Sequence, residues 1–333
     1  MAKIGYYVHG RGRGHASRAL AIAGALRERG HELRIYGGGQ AADLLGALPE
    51  HRLVRPIYPG LGGVIELPRR LAKELVEQAD FRPDALLSDG DVPSLLAARA
   101  LGIPAVALGH DLLFKRCRLP EALPRLDVLA CRRTTWAVTR RTYAVAVHFL
   151  PAEPAMPRTI VARPAPRRPP AGAGQGIEPG AVVCYFRDRN ARAAIELVAA
   201  GGRRVIAFGD PDLRVPGVRA MPFDSRDFLA HLAAASAVVA SAGSNLLAEC
   251  VLAGKPVLAL HERRDHEQAL NASLAAAAGV AVASSFASLS SRCVARFFER
   301  VRAGDFARVD LAGSLPDAPS AVLAMLDEAR RMA

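Results

Sequence analysis

Two groups of residues in this chain have the types and spacing of ligand-handling chemistry. The denser one lies at residues 241–272. Ser241-Ala242-Gly243-Ser244 is a turn of small residues opening a helical pattern, and Glu249 stands further along that pattern. A glycine turn at a helix start presents unpaired backbone N–H groups and the positive end of the helix dipole, which suits a phosphate. A carboxylate one or two turns on can hydrogen-bond ribose hydroxyls, as acidic residues do in dinucleotide folds. Gly254-Lys255-Pro256 ends the helix, and the loop after the next strand carries Asp265, His266, Glu267 and Gln268, ahead of a helix with Asn271. Those polar groups are placed to reach a sugar hanging from the diphosphate. The second group is His9-Gly10-Arg11-Gly12-Arg13-Gly14-His15, with Arg18 one turn later. A histidine at a helix start is commonly a polar cap, but His15 sits among glycines, where backbone can approach a ligand closely.

The elements that must position these residues are legible around them. Residues 3–8 read as a short apolar strand. Leu20, Ala23, Leu26 and Arg27 then recur at helical spacing, Gly30 stops that helix, and residues 32–36 form the next strand. Strand, glycine loop, helix and strand make a Rossmann-like opening. The spacing Gly10-x-Gly12-x-Gly14 is not the dinucleotide G-x-G-x-x-G, and Gly37-Gly38-Gly39 stands where an acidic residue would end the second strand. Both points argue against NAD or FAD. Downstream, strands at 105–108, 181–186, 204–208, 237–240 and 257–260 alternate with helical patterns at 92–100, 192–200, 226–234 and 318–332. That alternation predicts an α/β chain with two parallel sheets packed by helices. Between the halves, residues 151–180 hold eight prolines, and the run 163–170 is unsuited to a helix or an inner strand.

With small-residue turn, Glu249, Gly254-x-Pro256 and Asp265-x-x-Gln268 in this order, the 241–272 tract resembles the donor-nucleotide half of GT-B glycosyltransferases. The likeness is strongest to the lipid-linked N-acetylglucosaminyltransferase of peptidoglycan synthesis and its bacterial relatives. Gly12-x-Gly14-His15 with Arg18, then Leu26 and Arg29-Gly30-His31, is similar to the acceptor-side loop of the same enzymes. The nucleotide-sugar hydrolase of pseudaminic acid synthesis shares that loop. The resemblance implies two Rossmann-like domains with parallel sheets facing across a cleft. It implies an acceptor domain at 1–155, a Pro-rich linker at 156–180, a donor domain at 181–317, and a C-terminal helix at 318–333 crossing back to the first domain. It implies a uridine diphosphate sugar as donor, with Gly243 and Ser244 on the diphosphate, Glu249 on the ribose, and Asp265 and Gln268 on the sugar hydroxyls.

In plant and antibiotic members of this fold the matching histidine takes the proton from the acceptor hydroxyl, oriented by an aspartate about a hundred residues on. Here that makes His15 the base, with Gly12 and Gly14 allowing close approach. Asp89, in Leu86-Leu87-Ser88-Asp89-Gly90-Asp91, is the first candidate partner, and Asp111, in Gly109-His110-Asp111, the second. Asp89 ends an apolar strand, where open α/β sheets place their ligand crevices. Asp89-Gly90-Asp91 also spells the D-x-D of metal-dependent GT-A enzymes. Its setting of strand, turn and Ala-rich helix, far upstream of the donor tract, assigns it to coincidence. The GT-B scheme stabilises the leaving diphosphate with backbone amides and cationic side chains, so neither a metal nor a cofactor is expected.

Composition bounds the rest. The 333 residues are 51% hydrophobic and 23% charged, ample for two globular domains and unlike a disordered chain. The five cysteines at 117, 131, 184, 250 and 293 form no C-x-x-C pair, which points to reduced cytosolic thiols. The N-terminal apolar run is broken too early for a signal peptide. The charge-free stretch 268–291 is broken by Asn271, Gly279 and serines and reads as a buried helix followed by a strand. The net charge of +12 suits diphosphates, an anionic membrane face or nucleic acid. No nucleic-acid motif accompanies it, which makes nucleic acid the weakest of the three; the expected setting is cytoplasmic, with a peripheral place at the inner membrane as one option. Arg116, Arg118, Arg125, Arg132, Arg133, Arg140 and Arg141 could form a basic face near the acceptor; a solvated face is the plainer reading. The acceptor is a small molecule, saccharide or lipid-linked compound. Three alternatives to transfer remain open: a nucleotide-sugar hydrolase, a uridine diphosphate sugar epimerase, and a non-catalytic nucleotide-sugar-binding protein.

Overall fold

The computed structural model describes residues 1–10, 13–58, 61–133, 139–140, 142–165, 177–186, 191–222 and 225–332. Two all-parallel sheets organise them. The first contains β1 (Lys3–Val8), β2 (Glu32–Gly37), β3 (His51–Leu53), β4 (Ala85–Asp89), β5 (Ala105–Gly109), β6 (Tyr143–Val147) and β7 (Thr159–Ala162), in the order β3-β2-β1-β4-β5-β6-β7. The second contains β8 (Val182–Tyr185), β9 (Val205–Gly209), β10 (Val218–Pro222), β11 (Ala237–Ser241), β12 (Val257–His261) and β13 (Ala281–Ser285), in the order β10-β9-β8-β11-β12-β13. Inner strands such as Ala-Leu-Leu-Ser-Asp in β4 are buried at every position, the pattern of a parallel sheet covered on both faces.

By its contacts the chain divides into two compact units, residues 1–119, 129–165 and 315–333, and residues 120–128 and 166–314. In the first unit, Ile4, Tyr6 and Val8 of β1 share a core with Ala19, Ile22 and Leu26 of the helix Arg13–Glu28 and with Val322, Met325 and Leu326 of the helix Ala318–Arg331. The latter helix is anchored at its start: Asp317 caps it by accepting from the Ser320 N–H at 2.9 Å, and Pro319 occupies its first turn. In the second unit, Val182, Cys184 and Val239 pack with Ile195 and Val198 of the helix Ala191–Ala199 and with Val294, Phe297 and Phe298 of the helix Ser291–Ala303.

Two boundaries differ from the sequence reading. The linker expected from 156 starts later, because Thr159–Ala162 pairs with β6 as an edge strand and the first unit runs to 165. An edge position tolerates the prolines that crowd this stretch; residues 166–176 of the proline-rich run lie outside the described residues. Residues 120–128, expected within the first domain, group with the second unit. There Asp127 Oδ1 lies 2.6 Å from Nδ1 of His266.

Candidate functional site

In the first sheet the strand order reverses between β1 and β4, and open α/β sheets place their ligand crevices beyond the C-terminal strand ends at such a point. Val8 and Asp89 are register partners, and the His9 N–H donates to the Asp89 carbonyl at 2.9 Å. Asp89 follows Leu87 with the period-2 alternation of a strand. Its side chain therefore points to the face that Leu87 shares with the helix Arg13–Glu28. His15 and Arg18, three residues apart on that helix, meet it there.

Arg18 grips Asp89 with a fork, Nε to Oδ2 at 2.9 Å and Nη2 to Oδ1 at 2.6 Å. Nδ1 of His15 lies 2.7 Å from Oδ1. The Asp89 side chain is fully buried and that of Arg18 nearly so, whereas the His15 side chain retains 29% exposure. Burial alone would push the Asp89 carboxyl up, but Arg18 and His15 outweigh it and hold the group well below the usual carboxylate range. An ionised Asp89 cannot donate, so the short contact to His15 requires the proton on Nδ1. Arg18 Nη2 at 3.2 Å from the same nitrogen is then a close approach of two donors rather than a bond. This tautomer leaves Nε2 of His15 with its lone pair free to take a proton.

Asp111, at the start of the short helix Leu112–Arg116, is not the partner of His15; its carboxylate binds the ammonium of Lys115. Burial pushes the Asp111 carboxyl up, and the Lys115 charge more than offsets it, so it too stays ionised. Gly14 lies in the first turn of the helix that carries His15. Gly12 lies outside the described residues. Gly90, at φ +77°, turns the chain out of β4 in a left-handed conformation, and a Cβ there would come within 3.3 Å of Cβ of His9 and 3.6 Å of Cε1 of His15. The Gly37-Gly38-Gly39 run has a packing reason as well: a Cβ on Gly38 would overlap the Val54 carbonyl at 1.9 Å, and the Gln40 N–H bonds the Gly10 carbonyl at 3.1 Å.

Asp91 completes the D-x-D, but its carboxylate is engaged locally. It caps the helix Val92–Ala100 through the Ser94 N–H at 3.0 Å and pairs with Arg70 at 3.2 Å. Arg70, on the helix Leu61–Phe81, also binds Glu74 at 2.8 Å. The sequence reading passed over that helix, whose Pro68 and Gly62-Gly63 obscure its pattern. Arg116, expected on a basic face, is instead buried and donates to the Thr142 carbonyl at 3.0 Å, the Pro157 carbonyl at 2.6 Å and Oγ1 of Thr159 at 2.8 Å. Arg118 pairs with Glu153 at 3.5 Å, and Arg132 donates to the Phe114 carbonyl. Among the described residues these three do not make a common face, since Arg116 is turned inward; Arg141 and the side chain of Arg133 lie outside the described residues.

The second sheet reverses its order between β8 and β11, and the Ala242-Gly243-Ser244 turn leaves β11 at that point. Gly243 is the N-cap of the helix Ser244–Leu252, at φ −72° and ψ 134°, and no side chain caps this helix. A Cβ on Gly243 would meet nothing within 4 Å. The glycine is therefore not demanded by backbone strain or crowding; its absence of side chain leaves the helix start open. Glu249 lies one turn and a half along this helix. In the loop after the neighbouring strand β12, Asp265 caps the helix His266–Ala277 by accepting from the Gln268 N–H at 3.0 Å. Thus Gly243, Ser244, Asp265 and Gln268 follow the C-terminal ends of adjacent parallel strands, with Glu249 carried on the first of the two helices.

One positioning residue was legible only as a helix member. Asn271 is fully buried, and its Nδ2 donates to the Ala242 carbonyl at 3.0 Å, tying the second helix to the turn before the first. A wholly buried amide in an Ala- and Leu-rich helix is the signal that marks it.

The profile of glycosyl transferase family 1 matches residues 2–302. An uncharacterised glycosyltransferase of Methanosarcina acetivorans is 29% identical over 129 residues, which cover 33% of this chain and 32% of that protein; the match thus spans about a third of the relative. The crystal structure of MurG from Acinetobacter baumannii superposes with a TM-score of 0.70 at 16% identity, covering 99% of this chain and 100% of the other. The glycosyltransferase SsfS6 of Streptomyces sp. SF2575, complexed with thymidine diphosphate, gives 0.64 at 17% identity, covering 98% and 100%. Two parallel sheets, a reversal of strand order in each, and a family match over nearly the whole length agree: this chain belongs to glycosyl transferase family 1 and has the GT-B fold.

Proposed function

We propose that the protein transfers a sugar from a nucleotide diphosphate sugar, with uridine as the base, to the hydroxyl of an acceptor, without a metal ion. The observation that carries this reading is the His15–Asp89 pair locked by Arg18, which leaves Nε2 of the partly exposed His15 as a base beside a buried anion. As the acceptor oxygen attacks the anomeric carbon, its proton passes to Nε2. Asp89 stabilises the imidazolium that forms, and Arg18 keeps Asp89 ionised and in place. The bond from the anomeric carbon to the diphosphate breaks with oxocarbenium character. The departing charge falls on the amides that begin the helix Ser244–Leu252, where an open glycine cap and the helix dipole favour an anion. Glu249 holds the ribose, and Asp265 and Gln268 the sugar hydroxyls. The acceptor is a small molecule, a saccharide or a lipid-linked compound; no helix among the described residues is long and apolar enough to cross a membrane.

A thermal-shift screen of uridine and thymidine diphosphates and their sugars, with and without EDTA, tests the donor half. A ligand at a hundred times its dissociation constant stabilises the native state by about 2.7 kcal/mol. Chelator-insensitive stabilisation by uridine diphosphate supports the reading, preference for thymidine diphosphate corrects the base, and no response to either refutes the donor assignment. Sugar release without an acceptor would replace transfer by hydrolysis.

A further inference from the structure

The proposed donor residues follow the C-terminal ends of β11 and β12. At the other end of the same sheet, where β8 and β9 begin, a cavity of about 250 Å³ is lined by Val182, Phe298 and Ser236 together with Arg203, Arg204 and Arg302. Val182 and Phe298 are buried and give it an apolar floor. Among the described residues none of the three arginines has a carboxylate in ion-pair range, and Glu178, near the same edge, pairs with Arg219 at 3.5 Å. Two of them donate to carbonyls instead: Arg203 Nη1 to Val198 at 3.4 Å and Arg204 Nη2 to Pro179 at 3.1 Å. These bonds orient the guanidinium groups of Arg203 and Arg204 without cancelling their charge.

Arg203 is held most firmly. Its guanidinium carbon lies 3.9 Å from the centre of the Phe298 ring, and a Cβ on Gly201 would fall 1.6 Å from its Nη1, so a glycine is what lets it lie there. Burial, and then the nearby charge of Arg302, both lower the Arg203 pKa. Like charges gathered at a partly apolar cavity repel one another until an anion accepts hydrogen bonds from more than one of them.

We propose that this cavity binds a small phosphate-bearing anion, with Arg203, Arg204 and Arg302 as the donors, at a site separate from the turn at Gly243. Guanidinium forks match the geometry of phosphate oxygens. The volume lies below the roughly 300–1,000 Å³ of pockets for drug-sized ligands, which suits a phosphate, a diphosphate or a short phosphomonoester and not a whole nucleotide sugar. The site stands on its own residues and does not depend on the proposed transfer reaction.

The test is calorimetric titration of the full chain with inorganic pyrophosphate, with and without excess uridine diphosphate, comparing the unmodified protein with Arg302→Gln. Arg302 is exposed, so the substitution leaves folding intact, which a circular-dichroism melt checks. The expected result is a binding component that uridine diphosphate does not displace and that weakens at least tenfold in Arg302→Gln. Identical isotherms for the two proteins, or binding wholly displaced by uridine diphosphate, would overturn the proposal. Flotation with phosphatidic acid vesicles against phosphatidylcholine vesicles separates the sources. Arg302-dependent capture by the former identifies a lipid headgroup, and pyrophosphate binding without capture identifies a free phosphate compound.

Discussion

Replacing Asp89 by asparagine removes a single negative charge at a position with no solvent contact. The side chain is 0% exposed, takes two hydrogen bonds from Arg18 and one from His15, and its loss as an anion strands the Arg18 guanidinium, itself 7% exposed. Breaking a buried ion pair from one side costs about 3–5 kcal/mol. Against a typical total of about 5–15 kcal/mol this is a large but survivable loss. Urea denaturation followed by circular dichroism reads it directly. Sugar transfer falls separately, by about 10²–10⁴-fold, because an amide stabilises neither the required tautomer nor the imidazolium. The double variant Arg18→Met/Asp89→Asn separates the two effects. Removing both charges should restore about 1–3 kcal/mol relative to the sum of the single costs, while transfer stays low because His15 is unsupported. The pH dependence follows from the depressed pKa of Asp89. Its contribution to stability is complete above the ordinary carboxylate range and is lost as pH falls below that range, and Asp89→Asn lacks this acid-side loss. Single costs that simply add in the double variant, or an Asp89→Asn protein within about 1 kcal/mol of the parent, would refute the coupled buried pair.

The remaining predictions probe other parts of the chain. Gly243→Ala meets no neighbour and should change stability by no more than about 1 kcal/mol, the scale of an N-cap effect, yet weaken nucleotide diphosphate binding in calorimetry; unchanged affinity would remove Gly243 from the donor site. Glu249→Gln should raise the donor KM about tenfold, equivalent to about 1.4 kcal/mol, with a smaller effect on kcat; an unchanged KM would cancel the ribose assignment. Asn271→Leu leaves the Ala242 carbonyl without its side-chain donor and should cost about 1–3 kcal/mol in a urea melt while raising the donor KM. His148 is buried, which pushes its pKa well below the usual histidine value, with the charge of His110 adding to the effect. The unfolded chain therefore binds the extra proton first, so stability is complete above about pH 6.5 and falls as pH drops below it; His148→Leu should flatten that slope in melts between pH 5 and 7.

What the sequence disclosed was local. Strand ends, glycine turns and helix starts are set by neighbours a few residues apart, and so β1, β4, β11 and β12 and the turns that follow them fall at or within a residue or two of where the pattern puts them. Long-range partners carry no such mark. Asp89, which ends an apolar strand, ranks ahead of Asp111, which lies just past one, but position along the chain does not decide between them; packing shows that Lys115, one turn after Asp111, engages it and leaves Asp89 to His15. Arg116 reads as one more surface cation among many, yet the carbonyls of 142 and 157 surround it. The helix Leu61–Phe81 was hidden for a different reason: its glycines and Pro68 are weak helix formers, and its buried face carries Arg70, Glu74 and Gln78 in place of the apolar residues that a periodicity search seeks.

The arrangement of both candidate sites traces to strand order more than to the loops themselves. His15 and Asp89 are 74 residues apart, and they meet because β1 and β4 are neighbours although β2 and β3 lie between them in sequence. The Val8–Asp89 register puts the carboxylate at the level where the helix Arg13–Glu28 begins. A slip of β4 by one residue would turn Asp89 to the opposite face, toward the side where Ser88 meets Asp91 and Ser94, and leave Arg18 and His15 facing a different side chain. The buried run Ala85-Leu86-Leu87-Ser88 forbids that slip, since it would exchange Leu87, packed in the core against this helix, for a polar serine. The apolar residues of β4 thus fix the position of the one charge that ends it, and the loop beyond is free to vary around a carboxylate the sheet has already placed.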